Sequence, residues 1–75
     1  MAETAAQIAQ HYTAMGHSVD LINEIVATGD KDVESLDTIS RNVEHLELMK
    51  TRDYWTSEDM TDVDAAIVAG NAYNA

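Results

Sequence analysis

The chain has 75 residues, one domain at most, and at that size folding buries only roughly 60 % of the unfolded surface. It has no cysteine, which excludes disulfide staples, a thiol nucleophile and a redox role and leaves oligomerisation or docking on a larger partner as the expected aid to stability. Fourteen acids against four bases give a net charge of −10, which argues against nucleic acids and anionic membrane surfaces as partners.

The first predicted element rests on Ala5, Ile8, Tyr12, Met15, Val19, Ile22 and Val26. These recur every three or four residues, close to a heptad seam on one helix face, and predict a long helix over about 4–28. Gly29 is its expected stop, because glycine enters the left-handed conformation without steric cost. Gly16 falls inside the pattern, where glycine costs about 1 kcal/mol relative to alanine. The expectation there is a close approach by another helix or a slight bend.

Asp30 or Asp32 is expected to cap a second helix over about 32–53. Val33, Leu36, Ile39, Val43, Leu46 and Met49 form its apolar stripe. Lys50 and Arg52 are expected in its last turn, where positive charge complements the helix dipole. The short link between the two helices predicts an antiparallel hairpin.

The stretch RDYWTSEDM, residues 52–60, crowds two of the four aromatic residues beside three acids. Thr56 and Asp59 have the [ST]-x-x-[DE] spacing of a capping box, and Trp55 and Met60 then occupy the two positions of a hydrophobic staple. This predicts a short third helix over about 57–70, carrying Met60, Val63 and Ile67, with Gly70 as its stop. Tyr54 and Trp55 are expected to fold back over one end of the hairpin; the competing reading makes them exposed anchors for a partner. Tyr73, beyond Gly70, needs something to dock on. The expected fold is all-α, a single small helical domain over 1–75.

Residue constellations suited to chemistry are few. His11, His17 and His45 lack the i, i+3 or i, i+4 partners of a metal-binding helix and read as solvated histidines. DKDVESLDTISR begins like a calcium loop at Asp30, Asp32 and Glu34, then places Ser35 at the glycine position and Arg41 at the bidentate glutamate position; a helix N-terminus explains the same acids. Glu58, Asp59, Asp62 and Asp64 form an acidic run that reads first as a solvated face. No phosphate-binding glycine loop or nucleophile elbow is present, and a chain this short has little room for a water-excluding cleft. The expectation is a protein without enzymatic activity, cofactor, bound metal or small-molecule substrate.

Apolar surface is the better clue. Leu21 and Ile25 flank Val19, Ile22 and Val26, so the apolar face on the second half of helix one is wider than one hairpin partner covers. Leu48 points away from the stripe of helix two. Val19, Leu21, Ile22, Ile25, Val26, Leu48, Tyr54 and Trp55 are therefore the candidate interface, facing another copy or another protein. The alternative is that the third helix covers the surplus.

RNVEHLELMKTRDYWTSEDMTDVDAAIVAG, residues 41–70, resembles a segment of short helical proteins of tailed bacteriophages. The shared elements are the NVEHLE run, the aromatic pair before a threonine, and EDMT followed by a small apolar helix. The resemblance spans about 30 of the 75 residues and brings no functional residue with it. It implies a structural or accessory component of the phage particle, packing against itself or a larger capsid or tail protein. An alternative of another class is an acidic inhibitor that offers carboxylates to a host nucleic-acid enzyme in place of phosphates. No apolar run approaches the ~18 residues of a membrane span, and MAETAAQIAQ lacks the basic and apolar regions of a signal peptide. The expected locations are the virion and, during synthesis, the cytoplasm of the infected host.

Overall fold

Thr4 opens the first helix through a capping box: its hydroxyl accepts the Gln7 backbone N–H at 3.2 Å and its own N–H donates to Gln7 Oε1 at 2.8 Å. In the computed structural model, which describes residues 3–75, α1 runs Ala5–Thr28, α2 Val33–Met49 and α3 Thr61–Tyr73. The structure is all-helical among the described residues, and each helix packs against both others. The molecule measures 40 × 20 × 16 Å. Its long axis is set by α1, whose 24 residues span roughly 36 Å at 1.5 Å per residue.

Gly29 stops α1 in the left-handed region at φ 76°, as its position in the sequence predicts. Asp32 caps α2, its carboxylate accepting the Ser35 N–H at 2.7 Å. That bond, reinforced by the Ser35 side chain, holds the Asp32 carboxyl below its ordinary range.

The second helix ends earlier than its stripe predicts, at Met49, with Lys50 as its C-cap. Its final carbonyls turn to other donors: Thr51 Oγ1 binds the Leu48 carbonyl at 2.7 Å, and the Arg52 N–H and the Trp55 indole both bind that of Met49. Lys50 and Arg52 thus lie beyond the last turn. Val33, expected in the apolar stripe, is 84 % exposed at the first position of α2 and takes no part in the core.

The third helix is displaced toward the C-terminus. Thr56 and Asp59 do form the reciprocal capping box, with both bonds at 3.1 Å. They close one separate turn, however, and α3 starts only at Thr61, with no side-chain cap. Gly70 does not end α3. It is buried inside the helix, where a Cβ would meet Val43, Ile39 and Ile22; the glycine is needed for close approach, so the helix continues to Tyr73. Gly16 has the opposite environment: a Cβ there meets nothing within 4 Å, so no helix approaches closely at that point.

The core joins Met15, Val19 and Ile22 of α1, Ile39, Val43, Leu46 and Met49 of α2, and Met60, Val63 and Ala66. Tyr73 finds its dock at the α1–α2 link. Its hydroxyl donates to the Asp30 carbonyl, while Lys31 Nζ lies 3.5 Å from its ring centroid and binds its carbonyl at 2.6 Å. Asn74 adds bonds to the Leu36 carbonyl and Ser40 Oγ.

Candidate functional site

The predicted interface residues separate by burial. Val19 and Ile22 are core residues, and Ile25 and Val26 are half-buried against that core. Ile22 lies beside Gly70 of α3, so much of the wide apolar face of α1 is covered from within the chain. Leu21 and Leu48 stay at the surface, 43 % and 68 % exposed.

Tyr54 and Trp55 are half-buried and belong to a clasp that ties the 50–60 connection to the start of α1. The Trp55 indole N–H donates to the Met49 carbonyl at 2.9 Å, and its ring packs 5.7 Å from that of Tyr12 and edge-on to that of Tyr54 at 4.7 Å. The Tyr54 hydroxyl donates to Glu3 Oε2 at 2.7 Å. Glu3 also lies 3.3 Å from both Arg52 Nη1 and His11 Nε2. Desolvation raises the Tyr54 phenol above its ordinary pKa, and the hydrogen bond to Glu3 and that residue's negative charge add to the effect.

A cleft of about 120 Å³ opens between α1 and the turn leading into α3. Met15, Val19 and Val63, all buried, supply apolar walls; Gly16 leaves room, and Tyr12 flanks it, 48 % exposed. Asp20, Asp59 and Asp62 supply carboxylates. Of these, Asp59 is held by its bonds to Thr56. The acidic run 58–64 thus serves two ends: Asp59 and Asp62 line the cleft, while Asp64 pairs with Lys50 at 2.5 Å.

The histidines are not a set. His17 is exposed, His11 is beside Glu3, and His45 Nδ1 shares a 2.8 Å hydrogen bond with the buried Ser18 Oγ. That bond satisfies Ser18 inside the core rather than preparing a nucleophile, since Ser18 is only 4 % exposed. Among the described residues no three His, Asp or Glu side chains gather as a metal site, and no helix is long and apolar enough to cross a membrane.

The chain matches no family model, no curated protein and no solved structure.

Two residues with defined roles went unread in the sequence. Ser18 stands three residues after Met15 and four before Ile22, so the seam spacing itself puts it in the core. Glu3 offers no such signal, because its partners Tyr54 and Arg52 are about 50 residues away and only the tertiary fold brings them together.

Proposed function

We propose that this chain is a small phage-encoded accessory protein that acts by binding another protein and catalyses no reaction itself. The carrying observation is the state of its charges. All four bases are engaged within the chain: Lys31 with Tyr73, Arg41 with Asp37, Lys50 with Asp64 and Arg52 with Glu3. Among the described residues only three of the fourteen acids, Glu3, Asp37 and Asp64, pair with lysine or arginine. The remaining carboxylates have no lysine or arginine beside them among the described residues and are open to a counter-charge on another protein. That favours a basic protein surface and fits the acidic inhibitor of a host nucleic-acid enzyme. The phage origin rests on the resemblance of residues 41–70.

A component of the particle, docked through apolar helix faces on a capsid or tail protein or on copies of itself, is the second reading. Exposed Leu21 and Leu48 favour it, although the burial of Val19 and Ile22 takes away much of its proposed surface. An antiparallel α1–α2 hairpin suits either reading. Its support is the order of the contacts, since Tyr12 meets Trp55 beyond the end of α2 and the later Ser18 meets the earlier His45.

The test is mass spectrometry of what co-purifies with a tagged copy made during infection, washed at low and at high salt. A host nucleic-acid enzyme released by salt is the expected result, because exposed charge contacts are screened. Capsid or tail proteins retained at high salt would move the conclusion to the particle.

A further inference from the structure

The outward face of α2 reads the same in both directions. Ile39, Val43 and Leu46 turn one side of the helix to the core. Val33, Asp37, Arg41, Glu44 and Leu48 recur at spacings of four, four, three and four, so they form one strip on the opposite side, and all five are exposed. Their order is apolar, acid, base, acid, apolar. We propose that this strip binds the same strip of a second copy, antiparallel about a two-fold axis, to form a weak homodimer. The pairing goes beyond the docking function and is independent of which protein the chain docks on.

A two-fold contact requires a surface complementary to itself. With Val33 of one copy opposite Leu48 of the other, Asp37 falls opposite Glu44 and Arg41 opposite Ser40. The apolar ends then cover each other. The facing acids are bridged from the centre: Arg41 Nε leans back one turn to Asp37 Oδ2 at 2.9 Å, which is where the second copy's Glu44 arrives. The guanidinium keeps further donors on its terminal nitrogens, so each Arg41 can hold Asp37 of its own chain and Glu44 of the other.

Charge selects a second copy as the occupant and α2 as the place. At a net charge of −10, two chains repel wherever acid meets acid. Neither α1 nor α3 contains a lysine or arginine, so neither can offset that repulsion. Lys31, Lys50 and Arg52 are tied across the chain to Tyr73, Asp64 and Glu3. Arg41 alone has its partner on its own strip, and its side chain is 78 % exposed. The strip spans roughly 22 Å at 1.5 Å per residue. A two-helix contact of that length is smaller than the ~800 Å² per partner of a standard interface, so the dimer is expected to dissociate with a Kd on the order of 100 μM.

The experiment is sedimentation equilibrium of the purified full chain at concentrations up to about 1 mM, with no docking partner present, so the result bears on the strip alone. A mass rising from one chain toward two is expected. Arg41→Glu makes the strip wholly acidic, and Asp37→Lys combined with Glu44→Lys makes its centre wholly basic. Each is expected to weaken self-association at least about tenfold, and an equimolar mixture of the two variants to restore pairing. Leu48→Gln is expected to weaken it by about as much. Because every substituted position is exposed, all variants should keep the helical content and cooperative melting of the parent, which are checked first. A parent that stays a single chain throughout would overturn the dimer. Association of R41E equal to the parent, or a mixture that fails to pair, would overturn the strip as its seat.

Discussion

A Cβ placed on Gly70 would lie 2.6 Å from Cγ2 of Val43, closer than two carbon atoms can pack. It would also stand 3.2 Å from Cγ2 of Ile39 and 3.4 Å from Cγ2 of Ile22, so Gly70 is where α3 presses its backbone onto α1 and α2. Val43 is β-branched and 6 % exposed; it has no free direction in which to yield. Overpacking of this kind costs about 1–3 kcal/mol, against about 1 kcal/mol regained from the better helix propensity of alanine. Gly70→Ala is therefore expected to destabilise by about 1 kcal/mol, which lowers Tm by roughly 4–8 °C in a domain of this size. In a Val43→Ala background the 2.6 Å clash is gone and the tight 3.2 Å approach to Ile39 remains, so the same substitution is expected to cost less than in the parent. Urea melts of the four proteins of this cycle read the coupling directly.

Gly16 predicts the opposite sign. It lies within α1 with φ in the ordinary helical range, and its Cβ would meet open space. Gly16→Ala is expected to stabilise by about 1 kcal/mol through helix propensity alone. A loss of stability in the thermal melt would mean that a neighbour approaches there after all.

The contrast between these glycines marks what the sequence makes legible. Residues with a local signature were readable: the 3–4 spacing of Met15, Val19 and Ile22, Gly29 as a stop, Asp30 or Asp32 as a cap, of which the structure uses Asp32, and the Thr56–Asp59 box. Each depends on neighbours within about four positions. Gly70 and Gly16 carry no such information, because a glycine that ends a helix and one that admits another helix read alike. The same holds for Val33, placed on the stripe by spacing but left at 84 % exposure, while Leu36 in the same turn is half-buried and takes a bond from Asn74. The candidate interface was legible as apolar surface. Which of its residues α3 covers depended on where α3 lies, and the capping box misplaced its start by several residues because its turn closes separately from the helix.

Tyr54 gives the chain an alkaline limit. Its pKa is raised in the folded state by desolvation and by Glu3. A group whose folded pKa lies above its unfolded value contributes stability that is complete below the unfolded pKa, near 10, and is lost as pH rises through the folded value. Melts of the parent are therefore expected to lose Tm above about pH 10. Tyr54→Phe keeps the ring against Trp55 but removes the titrating group and its bond to Glu3, so its Tm should be lower at neutral pH and fall less steeply on the alkaline side. Tyr73 is raised for related reasons, desolvation followed by Asp30 and Asp32, so part of the slope is expected to remain until Tyr73→Phe is added.

Asp32 sets a limit at the other end. Its pKa is depressed by the Ser35 N–H it caps, so its contribution is present above the unfolded value near 4 and is lost as pH falls through the lower folded value. Asp32→Asn retains a cap of comparable quality without the charge. It is expected to melt close to the parent at neutral pH and to show a shallower loss of Tm below about pH 4. An unchanged acid limb would assign the slope to other carboxylates.

Leu21 and Leu48 decide between the two modes of docking. Leu48, 68 % exposed, sits opposite the buried face of α2, and Leu48→Gln is expected to change stability by no more than about 0.5 kcal/mol. Leu21, at 43 % exposure, keeps some contact, and Leu21→Gln is expected to cost about 1 kcal/mol. Because neither removes a core side chain, the double variant should remain folded and still probe the surface. If carboxylates dominate, its co-purified partner is retained at low salt and lost at high salt just as with the parent, while Asp20→Asn weakens retention. If apolar packing against a capsid or tail protein dominates, the double variant loses its partner at both salt concentrations with its melting curve nearly unchanged. The first outcome is expected, since the chain covers most of the α1 face itself and leaves most of its carboxylates without a lysine or arginine partner among the described residues.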